Sequence, residues 1–195
     1  MSAASAALRV VSSRPRTRTT RTNGRAAYTI AASCWIRVIS PVLCATGVLG
    51  DDGRGLIAVG RLDLATSGLL LLTTDTGLAE WITDPAHAVP RIYVVTVRGR
   101  VSDADVARLT AGVGCDRLRA HAVLLRKASS RESHLTVELR EGKNREVRRL
   151  FDAIGHEVIR LKRVRLGTIE LGDLEAGAWR ALTREDVRAA FPGAL

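Results

Sequence analysis

The chain has 195 residues, of which 46% are hydrophobic and only 4% aromatic, and its formal net charge is +10. This length fits one ordinary domain with at most an extra segment, packed around Leu, Val, Ile and Ala. Three scattered cysteines (Cys34, Cys44, Cys115) and four histidines without ligand spacing (His87, His121, His134, His156) speak against a structural metal site.

The cysteine usage fits a reducing, cytoplasmic setting. No apolar stretch approaches a membrane span, so no membrane is expected among the partners. The charge is uneven: residues 1–50 hold seven arginines and neither lysine nor acid. Residues 1–27, rich in Ser, Thr, Arg and Ala, read as a disordered basic arm. An organellar transit peptide is the lesser alternative. Residues 28–50 are more apolar but unpatterned. The expected organisation is therefore a divergent N-terminal segment, 1–50, before a folded domain, 51–195.

Regular signals begin at residue 56. Residues 59–75 read VGRLDLATSGLLLLTTD. Strands are expected over 56–59 and 68–72, the second buried on both faces because its apolar run is continuous rather than alternating. Asp63 stands just ahead of that strand, where an ionised carboxylate is costly unless paired. Capping a turn is the plain explanation for it, and chemistry the sharper one. Asp75-Thr76-Gly77 caps a short helix over 78–83, which Asp84-Pro85 ends.

Residues 91–98 (RIYVVTVR) form a strand with Arg91 and Tyr93 on one face. Tyr93 is either a core tyrosine or a ring able to stack on a nucleobase. Ser102 caps a helix over 103–111. Strands follow over 118–126 and 134–140, the second with a clean period of two. A helix over 144–154 places Val147, Leu150, Phe151 and Ile154 on one inward stripe and stops at Gly155.

Lys143 and Asn144 stand at that helix start, where free N–H groups and the helix dipole favour an anion. Arg145, Arg148 and Arg149 lie off the apolar stripe. This cationic cluster suits a nucleic-acid backbone or an acidic partner, against the plain alternative of a solvated basic face. Arg160, Lys162, Arg163 and Arg165 are expected at the surface of a strand over 157–166. Strands over 168–171 and 179–182 and a helix over 184–190, capped by Thr183, complete an α+β fold on a largely antiparallel sheet.

Together, VGRLDLATSGLLLLTTD at 59–75, RIYVVTV at 91–97 and LREGKNREVRRLFDAIGHEVIRLKRVRLG at 139–167, followed by LGDLEAGAWRALT, resemble the ribosomal-RNA branch of the RNA pseudouridine synthases. The resemblance runs over about residues 56–185, in order and spacing. It implies a mixed, mainly antiparallel sheet with flanking helices and a central cleft, and isomerisation of a chosen uridine in ribosomal RNA without metal or organic cofactor. By position it makes Asp63 the catalytic aspartate and Tyr93 the residue packing on the target base. Arg148 becomes the partner of the aspartate, with Arg145 or Arg149 as alternatives. Arg61 serves either to hold the displaced strand or to pair with Asp63, and Lys143, Asn144 and Arg145 contact RNA. A cytoplasmic monomer acting on ribosomal RNA or a pre-ribosomal particle is the implied whole.

Two features depart from the family. Residues 1–50 show no N-terminal RNA-binding domain, and the strands that precede GRLD in the family shrink to a remnant at 51–55. An incomplete sheet with an exposed edge is the expected consequence. It keeps open a second class of function, a catalytically silent RNA-binding or ribosome-assembly protein. A carboxylate glycoside hydrolase ranks last, because no second carboxylate is evident beside Asp63.

Overall fold

The computed structural model describes residues 8–13 as backbone, and residues 55–114, 117–176 and 178–195 in full. Readings of the rest of residues 1–50 lie outside the described residues. The elements, in chain order, are β1 (Leu8–Ser13), β2 (Ile57–Val59), β3 (Ser67–Thr73), α1 (Thr76–Thr83), β4 (Arg91–Arg98), α2 (Asp103–Ala111), β5 (Ala122–Ala128) and β6 (Glu132–Leu139). There follow α3 (Glu146–Asp152), β7 (Val158–Leu166), β8 (Ile169–Glu170), β9 (Trp179–Leu182) and α4 (Arg184–Ala190).

The nine strands among the described residues join one sheet in the order β5-β6-β4-β7-β3-β1-β9, with β2 also on β3 and β8 on β7. Every pairing is antiparallel except β3 with β7. The expected α+β architecture on a mixed, mainly antiparallel sheet is the one observed.

β3 explains the leucine run. It is flanked by β1 on one side and by β2 and β7 on the other, so its backbone is paired at both edges. Leu69 and Leu71 enter one core cluster with Leu78 and Ile82 of α1 and Val187 of α4. Leu70 and Leu72 pack with Leu56 on the opposite face. A second large cluster joins Val95, Leu135, Val137 and Leu139 of the sheet to Leu109 of α2 and Leu150 and Phe151 of α3.

The parallel β3–β7 contact depends on Gly68. Its φ is +107°, and a Cβ there would collide with the Arg163 carbonyl oxygen. Only a residue without a side chain lets the two backbones approach so closely.

The largest departure from expectation is at the N-terminus. Leu8–Ser13, read as part of a disordered arm, is a strand that fills the space between β3 and β9, Leu8 opposite Thr73 and Leu182. No sheet edge is therefore left open beside β3. The stretch LRVVSS carries little local signal amid Arg, Ser and Thr; its structure comes from pairing.

Smaller differences have local causes. α1 starts at Thr76 because the Asp75 side chain accepts the Leu78 N–H at 3.0 Å. β5 starts at Ala122, while Leu118 makes only a single bridge to Val113. α3 is shorter than its stripe suggests because Arg145, before it, has a φ of +49° and breaks the helical path. The caps Ser102 and Thr183 form reciprocal capping boxes with Asp105 and Asp186.

Candidate active site

Asp63 sits where the two large core clusters meet. A cavity of about 180 Å³ opens there, its apolar wall taken from Val59, Ile82 and Leu166 on one side and Leu139, Val147 and Leu161 on the other. Six of the expected site residues line it: Arg61, Asp63, Tyr93, Lys143, Asn144 and Arg145. They come from the loop before β3, from β4 and from the loop before α3, segments far apart in sequence.

The Asp63 carboxylate does not cap its turn. The turn closes through its backbone, the Thr66 N–H donating to the Asp63 carbonyl at 2.9 Å. Arg148 fixes that turn from outside. Its Nη2 donates to the Ala65 carbonyl at 2.9 Å and its Nη1 to the Val158 carbonyl at 3.0 Å, tying the Asp63 turn to β7 through α3. Burial and the neighbouring Arg145 lower the Arg148 pKa, while the attraction of Asp63 and Asp152 works the other way. Among the described residues no ion pair joins Arg148 to Asp63 directly; Arg148 is tied to the Asp63 turn through the Ala65 carbonyl.

Helix α3 is not the open anion site that Lys143 and Asn144 suggest. The Lys143 N–H donates to the Glu146 carboxylate at 3.0 Å, so the protein supplies its own anion there. Glu146 is only 4% exposed, and burial pushes its carboxyl above the usual range although the backbone N–H groups of Lys143 and Gly142 oppose that shift. The exposed side chains of Arg61, Lys143 and Arg145 remain at the rim.

Sequence reasoning missed three further wall residues: Arg91, Glu146 and Arg163. Arg91 is buried and spends its donors on three carbonyls, those of Val89, Ile82 and Arg140. Its guanidinium lies beneath Gly142, where a Cβ would come within 3.1 Å. Arg163, expected at the surface, is 3% exposed. Its Nε donates to the Leu69 carbonyl at 2.8 Å, and it pairs across the sheet with Tyr93 and Gly68. The signal for it was available, since a period of two places it on the face of Leu161, but four cations in one strand concealed it.

In all, five cationic side chains and two carboxylates line the cavity. Among the described residues no group of three or more His, Cys, Asp or Glu side chains is arranged to hold a metal ion. What the arrangement offers is a fixed, accessible carboxylate in a small, cation-rimmed pocket, with an aromatic ring in its wall.

Residues 41–153 match the family model described as RNA pseudouridylate synthase. An RNA pseudouridine synthase of Aquifex aeolicus, itself uncharacterised, is 34% identical over 146 residues, covering 74% of this chain and 59% of that one. The ribosomal large subunit pseudouridine synthase B of Haemophilus influenzae is 44% identical over 138 residues, covering 69% of this chain and 39% of its own. The same-named protein of Escherichia coli K12 is 44% identical over 133 residues, covering 67% and 46%. This chain thus spans from 39% to 59% of the length of these relatives. Among solved structures, one titled as a pseudouridylate synthase has a TM-score of 0.66 over 95% of this chain and 74% of its own, at 24% identity, a likeness of fold. With the match of more than half its length to the family model, and with relatives of this identity, the chain belongs to the RNA pseudouridine synthase family.

Proposed function

We propose that this protein isomerises a uridine of large-subunit ribosomal RNA to pseudouridine, with Asp63 as the catalytic carboxylate. The observation that carries the reading is the state of Asp63: half-buried in the cavity wall, with its turn closed by backbone alone. A cavity of about 180 Å³ is small beside the roughly 300–1,000 Å³ of ordinary ligand clefts and suits a single extruded base. The choice of ribosomal RNA follows the printed names of the relatives at 44% identity.

The chemistry asks for one carboxylate. Asp63 acts on the ribose, as nucleophile at C1′ or as base at C2′, while the C1′–N1 bond breaks and its electrons pass to uracil. The uracil turns and C5 bonds to C1′ as the Asp63–C1′ bond breaks or, in the base route, as Asp63 returns the proton to C2′; the C5 proton then leaves as N1 gains one, so that no atom is gained or lost. Tyr93 supplies a surface for the base, and Arg61, Lys143, Asn144 and Arg145 contact the RNA backbone. The protein works as a monomer in a reducing cytoplasm, in keeping with its scattered cysteines. Against a silent binding protein stands β1, which leaves the sheet around the Asp63 strand continuous.

Ribosomal RNA transcript carrying tritium at uridine C5 should lose label to water with the wild-type protein. Asp63→Asn should abolish release while retaining RNA affinity. Equal release by that variant would remove Asp63 from its role.

A further inference from the structure

Two residues of the cavity wall each carry a buried side-chain atom that has no hydrogen-bond partner among the described residues: Arg163 at Nη2 and Thr66 at Oγ1. The two residues are 3% and 6% exposed. Buried polar groups are almost always satisfied, so orphans in a pocket call for a bound molecule or a function. The comparison with Arg91 is instructive. That neighbour is equally buried and has its donors occupied by backbone carbonyls, whereas Arg163 uses Nε on Leu69 and keeps Nη2 unspent. Arg163 also stands between the two elements that frame the site, in register with Tyr93 on one side and Gly68, just after the Asp63 turn, on the other.

We propose that Arg163 Nη2 donates a hydrogen bond to a carbonyl oxygen of the uracil held at Asp63, and that this contact selects uracil over cytosine. The inference rests on the reading of the cavity as a uridine site. A guanidinium has donors only, so whatever meets it must accept. Uracil carries carbonyls at C2 and C4, related by a half-turn about the axis through N3 and C6. The same half-turn exchanges N1 with C5, which is the exchange the isomerisation requires. One fixed donor therefore meets a carbonyl before the turn and the other carbonyl after it. Cytosine has an amino group in place of one carbonyl, so one of its two orientations sets N–H against N–H. A site built around such a donor rejects the wrong base because its buried group is left unpaired.

The test uses the full chain and three ribosomal RNA transcripts labelled with tritium at uridine C5, containing uridine, 2-thiouridine or 4-thiouridine. Sulfur is a weak acceptor, and single-turnover release is measured with binding recorded alongside. Wild-type protein should release label from either thio-RNA about 10-fold more slowly per bound complex. Arg163→Lys, which keeps the charge and loses the planar fork, should slow release from the uridine RNA by about 10- to 100-fold and should no longer distinguish the three RNAs. Equal wild-type rates on all three RNAs would overturn the proposal, and this arm needs no variant to fold. So would an Arg163→Lys defect of the same factor on every RNA, which is what a purely structural arginine gives. Absence of release by wild type from any RNA, or normal release by Asp63→Asn, would instead strike the isomerase reading on which the inference stands.

Discussion

Removing the Arg148 side chain separates its two roles. In Arg148→Ala the Val158 and Ala65 carbonyls lose their donors. Charge-assisted hydrogen bonds contribute about 1.5–3 kcal/mol each when shielded. The Val158 bond is partly buried and the Ala65 bond is exposed, so together they amount to about 2–2.5 kcal/mol. Arg148 Nε is buried with no partner among the described residues, and losing it relieves about 1 kcal/mol. The net destabilisation is thus about 1–1.5 kcal/mol, too little to unfold a domain with an ordinary 5–15 kcal/mol of stability. The turn bearing Asp63, however, loses its external brace, and displacing a reacting group by about 1 Å costs roughly 100-fold in rate. Urea denaturation and tritium release on the same preparations should show a small stability loss beside a large loss of turnover, with RNA binding changed little. Arg148→Lys should keep the charge and recover little of the rate, because an ammonium cannot bridge the two carbonyls with a planar fork. Full turnover in Arg148→Lys, or in Arg148→Ala, would refute the bracing role.

Gly68→Ala should be severely destabilised, by about 3 kcal/mol, since the new Cβ meets backbone rather than a movable side chain, and the positive φ adds strain. Thermal melting checks it, and an unchanged midpoint would contradict the β3–β7 spacing. Glu146 has a folded pKa raised above its unfolded value, so the folded chain binds the proton more tightly. Stability attributable to it falls as pH rises from the ordinary glutamate range through that raised value. Glu146→Gln can still accept the Lys143 N–H, so its melting temperature relative to wild type should be more favourable at pH 7 than at pH 4. An offset that does not vary with pH would show that burial of charge is not what Glu146 contributes.

Much of the architecture was legible because it is written in short-range patterns. The alternation in β6, the leucine run of β3 and the caps Asp75, Ser102 and Thr183 each act over a few residues, and their elements appear close to where the patterns put them. The motif around Asp63 and the cluster at 143–145 likewise reach one cavity. The readings that changed depend on partners distant in the chain. Arg163 looked like one of four surface cations until the sheet set it between Tyr93 and Gly68. Lys143 looked like part of an anion site until Glu146 turned back onto its N–H.

The sequence alone therefore determined the strand and helix periods and the α+β class, and it singled out Asp63 as the candidate carboxylate, since periodicity, capping and a spaced motif are properties of neighbouring residues. Tertiary structure decided that Leu8–Ser13 is a strand, that Arg148 braces a turn rather than touching Asp63, and which buried donors remain unspent. Those outcomes depend on edges, carbonyls and side chains that meet only after the chain has folded, and hydrogen bonds between distant backbones leave no trace in local composition.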